Sequence, residues 1–155
     1  VEERKYIVEL TGEVEGSIDS KITQTYLTAE PGCEVRLRKR EWDGKCVYVH
    51  TNKQRISENE QLETERQISS NLYTSLLQQA DPYRSTIMKL RKSFIWKGQY
   101  FELDNYLEPM TGLMILETKG VADDEDVKFP PFLKVLKDIT GNKDYYNYNL
   151  AIKKR

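Results

Sequence analysis

In 155 residues the chain carries 24 basic and 25 acidic side chains, for a net charge of −1, beside 38% hydrophobic residues. That length suits one domain with its own core, and the charge balance argues against DNA or general membrane attraction, which needs a large excess of one sign. Two cysteines, Cys33 and Cys46, without a CxxC pair or histidine cluster exclude a zinc site and a disulfide framework. No apolar run reaches membrane-spanning length and no signal peptide opens the chain, so a reducing, cytoplasmic setting is expected. The chain opens on Val1 inside a strand pattern and reads as a single domain, 1–155, excised from a longer protein.

In chain order, Lys5–Glu9 reads as a first strand, followed by a polar connection over Gly12–Ser20 and a Thr- and Tyr-rich strand at Lys21–Thr28. After a Pro31-Gly32 turn, Glu34–Arg40 and Lys45–Lys53 form a hairpin about Asp43-Gly44. Gln61–Ser69 is a further strand. The clear helix is Ser70–Gln79, with Leu72, Leu76 and Leu77 on one face, capped by Ser69 or Ser70 and ended by Asp81-Pro82. Thr86–Trp96 and Gln99–Leu107 form a second hairpin about Lys97-Gly98. Gly112–Lys119 is a strand, Asp123–Asp126 a surface loop, and the tail is broken by Pro130-Pro131 before a short segment at Phe132–Lys137, a turn and a last segment, Tyr145–Lys154. About eight strands and one or two helices cannot cover both faces of a parallel sheet. The expected fold is mainly β (α+β), an antiparallel barrel or curled sheet with one or two packing helices.

Residues two apart in a strand share a face. Glu34, Arg36, Arg38 and Arg40 therefore line one side, opposed by Val35 and Leu37. Lys89 and Arg91 oppose Met88 and Leu90, Glu102 and Asp104 oppose Phe101 and Leu103, and Glu117 and Lys119 oppose Leu116. Glu3 with Lys5, Glu63 with Glu65, and Thr51 with Lys53 repeat the pattern. These ionic faces either meet bulk water around an ordinary core or curl inward to line a wet lumen. Three successive same-face arginines repel one another, which favours the lumen and a polyanionic ligand. Arginine's planar fork matches phosphate oxygens, and clustered carboxylates suit Mg²⁺ or Mn²⁺. His50 and Cys46 alternate away from Lys53 and read as packing residues, as do Trp42 and Trp96.

The ordered set Glu3-Arg4-Lys5, Arg36-Leu37-Arg38-Lys39-Arg40, Thr51-Asn52-Lys53, Glu63-Thr64-Glu65, Lys89-Leu90-Arg91, Glu102-Leu103-Asp104 and Glu117 resembles the CYTH, or triphosphate tunnel metalloenzyme, family. The tail Ile139-Thr140-Gly141 and Tyr145–Ala151 looks like its closing segment. The resemblance makes the expected fold an eight-stranded antiparallel closed barrel or tunnel, in which Lys5, Arg36, Arg38, Arg40, Lys53, Lys89 and Arg91 clasp phosphates. Glu3 and Glu117 would hold Mg²⁺ or Mn²⁺, with Glu63, Glu65 and Asp104 assisting catalysis. The wording around Tyr100–Pro109 and Leu113–Lys119 looks closest to a eukaryotic branch fused behind a P-loop NTPase domain, whose members bind guanine nucleotides and phosphoinositide-type lipids. The chain has no GxxxxGK[ST] of its own. It departs from the family pattern at Val1 and at Lys119, where glutamates belong. Phosphate clasping survives such losses better than hydrolysis does. The expected function is thus binding of a nucleotide triphosphate, polyphosphate or phosphorylated lipid headgroup at an anionic membrane, ahead of a metal-dependent triphosphatase and of a structural docking domain.

Overall fold

In the computed structural model, the described residues are 3–122 and 125–153. What the sequence suggested of Val1, Glu2, Asp123, Asp124, Lys154 and Arg155 lies outside them. The strands are β1 (Arg4–Leu10), β2 (Ile18–Leu27), β3 (Cys33–Trp42), β4 (Lys45–Arg55), β5 (Gln61–Ile68), β6 (Ile87–Trp96), β7 (Gln99–Tyr106), β8 (Met114–Thr118) and β9 (Leu133–Asp138), with helices α1 (Ser70–Leu76) and α2 (Asn147–Leu150). The strands form one antiparallel sheet in the order β5-β4-β3-β2-β6-β7-β8-β1-β9. This corrects the sequence reading twice. There are nine strands rather than eight, and the order has two ends, β5 and β9, so the sheet is not closed among the described residues. The ninth, β9, lies in the stretch read only as a short segment at Phe132–Lys137, because Leu133-Lys134-Val135-Leu136-Lys137-Asp138 does not alternate cleanly and its pairing with β1 slips at a bulge between Ile7 and Val8.

The chain divides into two compact units, one of Val1–Ser20 with Lys89–Tyr146 and one of Lys21–Met88 with Asn147–Arg155. In the second, the β3–β4 hairpin turns on Asp43 and Gly44 with φ of 48° and 70°. Both central residues are left-handed, as a two-residue type I′ turn requires. Lys97 and Gly98 repeat this device between β6 and β7 in the first unit, with φ of 47° and 77°.

In the second unit the apolar face of the β2–β3–β4–β5 strands is covered by α1. Ser69 caps the helix by accepting a hydrogen bond from the Leu72 amide at 3.1 Å. Tyr73 then meets Leu27, Leu37, Val35, Tyr48 and Ile68, its ring 4.7 Å from that of Tyr48. In the first unit Tyr6, Val8, Phe94, Phe101, Leu103 and Leu116 form the core, roofed by Val14, Val127, Phe129 and Phe132 from the long connections. In both units, then, the greasy face carries the packing that the sequence assigned to the helix and loops. Among the described residues no helix is long and apolar enough to cross a membrane.

Leu37 is fully buried under α1. Leu37→Ala should therefore lower unfolding free energy by about 3 kcal/mol, the usual cost of a truncation that leaves a cavity, as measured by urea denaturation.

Candidate functional site

The register of the second unit fixes its ionic face. Arg36, Arg38 and Arg40 stand opposite Tyr26, Gln24 and Ile22 of β2, and opposite Thr51, Val49 and Val47 of β4. Lys53 pairs with Glu34 on one side and Glu63 on the other, and Thr51 pairs with Glu65. Directly paired residues share a face, so Arg36, Arg38, Arg40, Lys53, Glu63 and Glu65 do belong to one side of the sheet. They differ in exposure: Glu63 and Glu65 on β5 are open to water, whereas Arg36 is only 17% exposed.

Arg36, Arg38, Arg40 and Lys53 are all half-buried, and half-buried Glu34 on the same face lies 4.0 Å from Arg36 Nη1 and 3.7 Å from Lys53 Nζ. Same-face neighbours on a strand lie roughly 7 Å apart. At an effective dielectric of about 20, each arginine pair then repels by about 2 kcal/mol. The row is held in place all the same. Gln24, fully buried, accepts from Arg38 Nε and Nη2 at 3.3 and 3.1 Å through Oε1, while its Nε2 donates to the Tyr26 hydroxyl at 2.7 Å. Burial, then the negative charge of Glu34, pushes the Tyr26 phenol up to about 12, so it stays neutral. The Nε atoms of Arg36 and Arg40 are buried without a hydrogen-bond partner among the described residues. Native proteins rarely leave buried donors so. Two such N–H groups on one basic face suit an acceptor-only ligand.

The first unit collects the other ions. Pairing across β1, β8, β7 and β6 sets Lys5 beside Glu117, Glu117 beside Glu102, and Asp104 beside Arg91. Asp104, 4% exposed, accepts a forked pair from Arg91 Nε and Nη2 at 2.8 and 3.0 Å, and Lys89 Nζ lies 2.8 Å from its Oδ2. Arg91 Nη1 also donates to Glu102 at 3.1 Å. Burial alone would raise Asp104, but Lys89 and the Arg91 fork outweigh it and bring the carboxyl down to about 2. Thus Asp104, Lys89 and Arg91 hold one another.

Glu3 and Glu117 behave differently. Burial, then the hydrogen bond and negative charge of Glu3, raises Glu117 to about 7. Burial also pushes Glu3 up, but hydrogen bonds with Glu117 and Lys119 prevail and hold it below the ordinary range. Of the two, Glu117 is thus the one that carries a proton at mildly acid pH. Lys119 Nζ sits 3.1 Å and Lys5 Nζ 3.9 Å from Glu3. Among the described residues no group of three or more metal-ligating side chains is placed to hold an ion. Mg²⁺-type ions, however, commonly take one or two carboxylates together with phosphate oxygens. The Glu3–Glu117 pair fits an ion that arrives with phosphate, and does not fit one caged by protein alone.

Lys5 is fixed from the tail: its amide donates to Thr140 Oγ1 at 3.0 Å, and its ammonium lies 5.2 Å from the Tyr146 ring centre. Sequence reasoning did not assign Gln24, Tyr26, Glu34 or Glu102 to the site. The period-two rule places all four on the ionic faces, and a glutamine inside a strand of Thr and Tyr was the available signal. His50 pairs with Arg66 and Leu37 on the opposite face, where burial and Arg66 lower its pKa. Trp42 lies against the Arg40 guanidinium at 4.9 Å, and Trp96 packs on the core of its unit.

Two outcomes follow from these charges. Asp104→Asn removes the carboxylate that buried Lys89 and Arg91 share, leaving Arg91 with Glu102, and should cost about 3 kcal/mol, read by denaturant unfolding at pH 7. Glu117 has a pKa of about 7 in the folded chain against an ordinary 4.5. The folded state thus binds more protons between those values, and its stability declines as pH rises through that window. Glu117→Gln should remove that decline, worth of order 2 kcal/mol, in a pH series of urea unfolding curves.

No protein-family model and no curated protein matches the chain. Among solved structures it is similar to that of the inorganic triphosphatase NE1496, with a TM-score of 0.72 and 27% identity, over 99% of this chain and 98% of that one. A second structure, described as the hypothetical protein NE1496, matches with a TM-score of 0.71 at 27% identity over 97% of both chains. The PH1819 protein from Pyrococcus horikoshii OT3 matches with a TM-score of 0.52 at 20% identity, over 79% of this chain and 80% of that one, a likeness of fold alone. The full-length match to NE1496 shows that this chain has the same fold.

Proposed function

We propose that this chain is a triphosphate tunnel protein of the CYTH type that binds inorganic or nucleoside triphosphate and hydrolyses it with a divalent metal. The observation that carries the reading is the half-buried row of Arg36, Arg38 and Arg40, in which the Nε donors of Arg36 and Arg40 have no hydrogen-bond partner among the described residues. The similarity to the inorganic triphosphatase NE1496 supports hydrolysis over mere binding. The guanine-nucleotide and phosphoinositide ligands of the P-loop-fused branch gain no support from these matches.

In this reading Arg36, Arg38, Arg40 and Lys53 hold phosphate oxygens by charge-assisted hydrogen bonds. Gln24 fixes the plane of the Arg38 fork. Glu3 and Glu117 would hold the metal, which when bound neutralises phosphate charge and polarises the phosphoryl group. Glu117 gives up its proton on forming that site. Lys5 faces the same pair across β1 and β8 and can pass to the phosphate. Arg91 and Lys89, already saturated by Asp104, supply fixed positive charge that stabilises the phosphoryl transition state. Exposed Glu63 and Glu65 have the weakest placement for chemistry, and serve to orient water or Lys53.

A second reading, binding without turnover, is favoured by one feature, the ammonium of Lys119 on Glu3. Phosphate release from inorganic triphosphate with Mn²⁺ separates the two. Hydrolysis should fall at least 100-fold in Arg36→Ala/Arg38→Ala and in Glu117→Gln. Tight triphosphate binding with no phosphate released would leave the binding module, and no binding at all would end both readings.

A further inference from the structure

Lys119 follows the last residue of β8, and its main chain is anchored. Thr118 is buried and donates to the Tyr100 carbonyl at 2.7 Å, and the Lys119 carbonyl accepts from Gln99 Nε2 at 2.8 Å. The side chain is not anchored in this way. It is 61% exposed and reaches Glu3 Oε1 at 3.1 Å, while Glu3 is in turn hydrogen-bonded to Glu117. A fixed root thus carries an exposed ammonium onto the Glu3–Glu117 carboxylate pair.

An Mg²⁺-type ion bonds carboxylate oxygen at roughly 2.1 Å and needs a bare lone pair. An ammonium hydrogen-bonded to the same oxygen stands in that ion's place. The geometry points to Lys119 as a tethered cation that occupies Glu3 while no phosphate is bound, competes with the divalent ion for it, and moves to the phosphate when metal and triphosphate arrive together. The inference rests on the metal role proposed for Glu3 and Glu117. It makes the free chain a poor metal binder and couples metal uptake to substrate, with no covalent change. Lys5, 3.9 Å from the other Glu3 oxygen, is less exposed than Lys119 and lies against Tyr146 as well.

Mn²⁺ titration of the whole protein by electron paramagnetic resonance tests this without any turnover. In the absence of phosphate, Lys119→Gln and Lys119→Met should bind Mn²⁺ at least tenfold more tightly than the unmodified chain. With a non-hydrolysable imidotriphosphate present, the difference should shrink to threefold or less. Equal Mn²⁺ affinity in all three proteins without phosphate would overturn the inference while leaving the metal role of Glu3 and Glu117 intact. Failure of every protein to bind Mn²⁺ even with imidotriphosphate would overturn both. Because the side chain is largely exposed, both variants should keep the unmodified circular dichroism spectrum and melting temperature.

Discussion

The structure depends on one constraint: strands with ions on every second residue must keep those ions together on one face while the other face does the packing. Leu37, Val35 and Tyr48 can lie under α1 only if Arg36, Arg38 and Thr51 point the other way. In the first unit, Tyr6, Leu103 and Leu116 enter the core only if Lys5, Asp104 and Glu117 leave it. A slip of one residue in any of these pairings would bury the ions in the apolar layer, so the register is strongly specified. The cost is a sheet face on which ions are withdrawn from water, Lys89 to 2% exposure. Such burial is tolerable only with good pairing.

The two units meet that cost in different ways. Asp104 is matched by a forked arginine and a lysine, all within hydrogen-bonding distance, and this network is self-sufficient. The arginine row of β3 is not. Glu34 reaches Arg36 and Lys53, and Gln24 steadies Arg38, yet the Nε donors of Arg36 and Arg40 stay unmet. The contrast separates ions matched by carboxylates from the β3 row that the proposed triphosphate site draws on. Electrostatic preorganisation of this kind has its strain set at folding, so that an arriving polyanion finds donors already aimed.

Much of this is written in the alternation itself. Glu34, Arg36, Arg38 and Arg40 announce their shared face from sequence, as do Lys89 with Arg91 and Glu102 with Asp104, because period two is a local rule. The hairpin at Asp43-Gly44 and the cap at Ser69 are local too. What the alternation does not carry is register between strands distant in sequence. That Lys5 meets Glu117, that Thr140 ties Lys5, and that Lys119 lands on Glu3 all depend on pairings more than 100 residues apart along the chain. β9 reads only as a short segment because its residues break the alternation at a bulge, and closure of the sheet, expected from the repelling arginines and from the resemblance, is a long-range property that alternation does not fix. Gln24 was passed over because one amide among Thr and Tyr looks like ordinary strand filler until its partner Arg38 is known.

The central claim is that the β3 row is proposed to be held charged and half-buried, with the Arg36 and Arg40 Nε donors unmet among the described residues, until a polyanion arrives. Thermal unfolding with inorganic triphosphate and no metal tests it most directly, because a ligand that binds only the folded state at 100 times its dissociation constant adds about 2.7 kcal/mol. The account predicts that saturating triphosphate raises the melting temperature by several degrees, that Arg36→Ala/Arg38→Ala unfolds no earlier than the unmodified chain when ligand is absent, and that this variant loses the ligand-induced rise. Equal shifts in both proteins, or none in either, would contradict it.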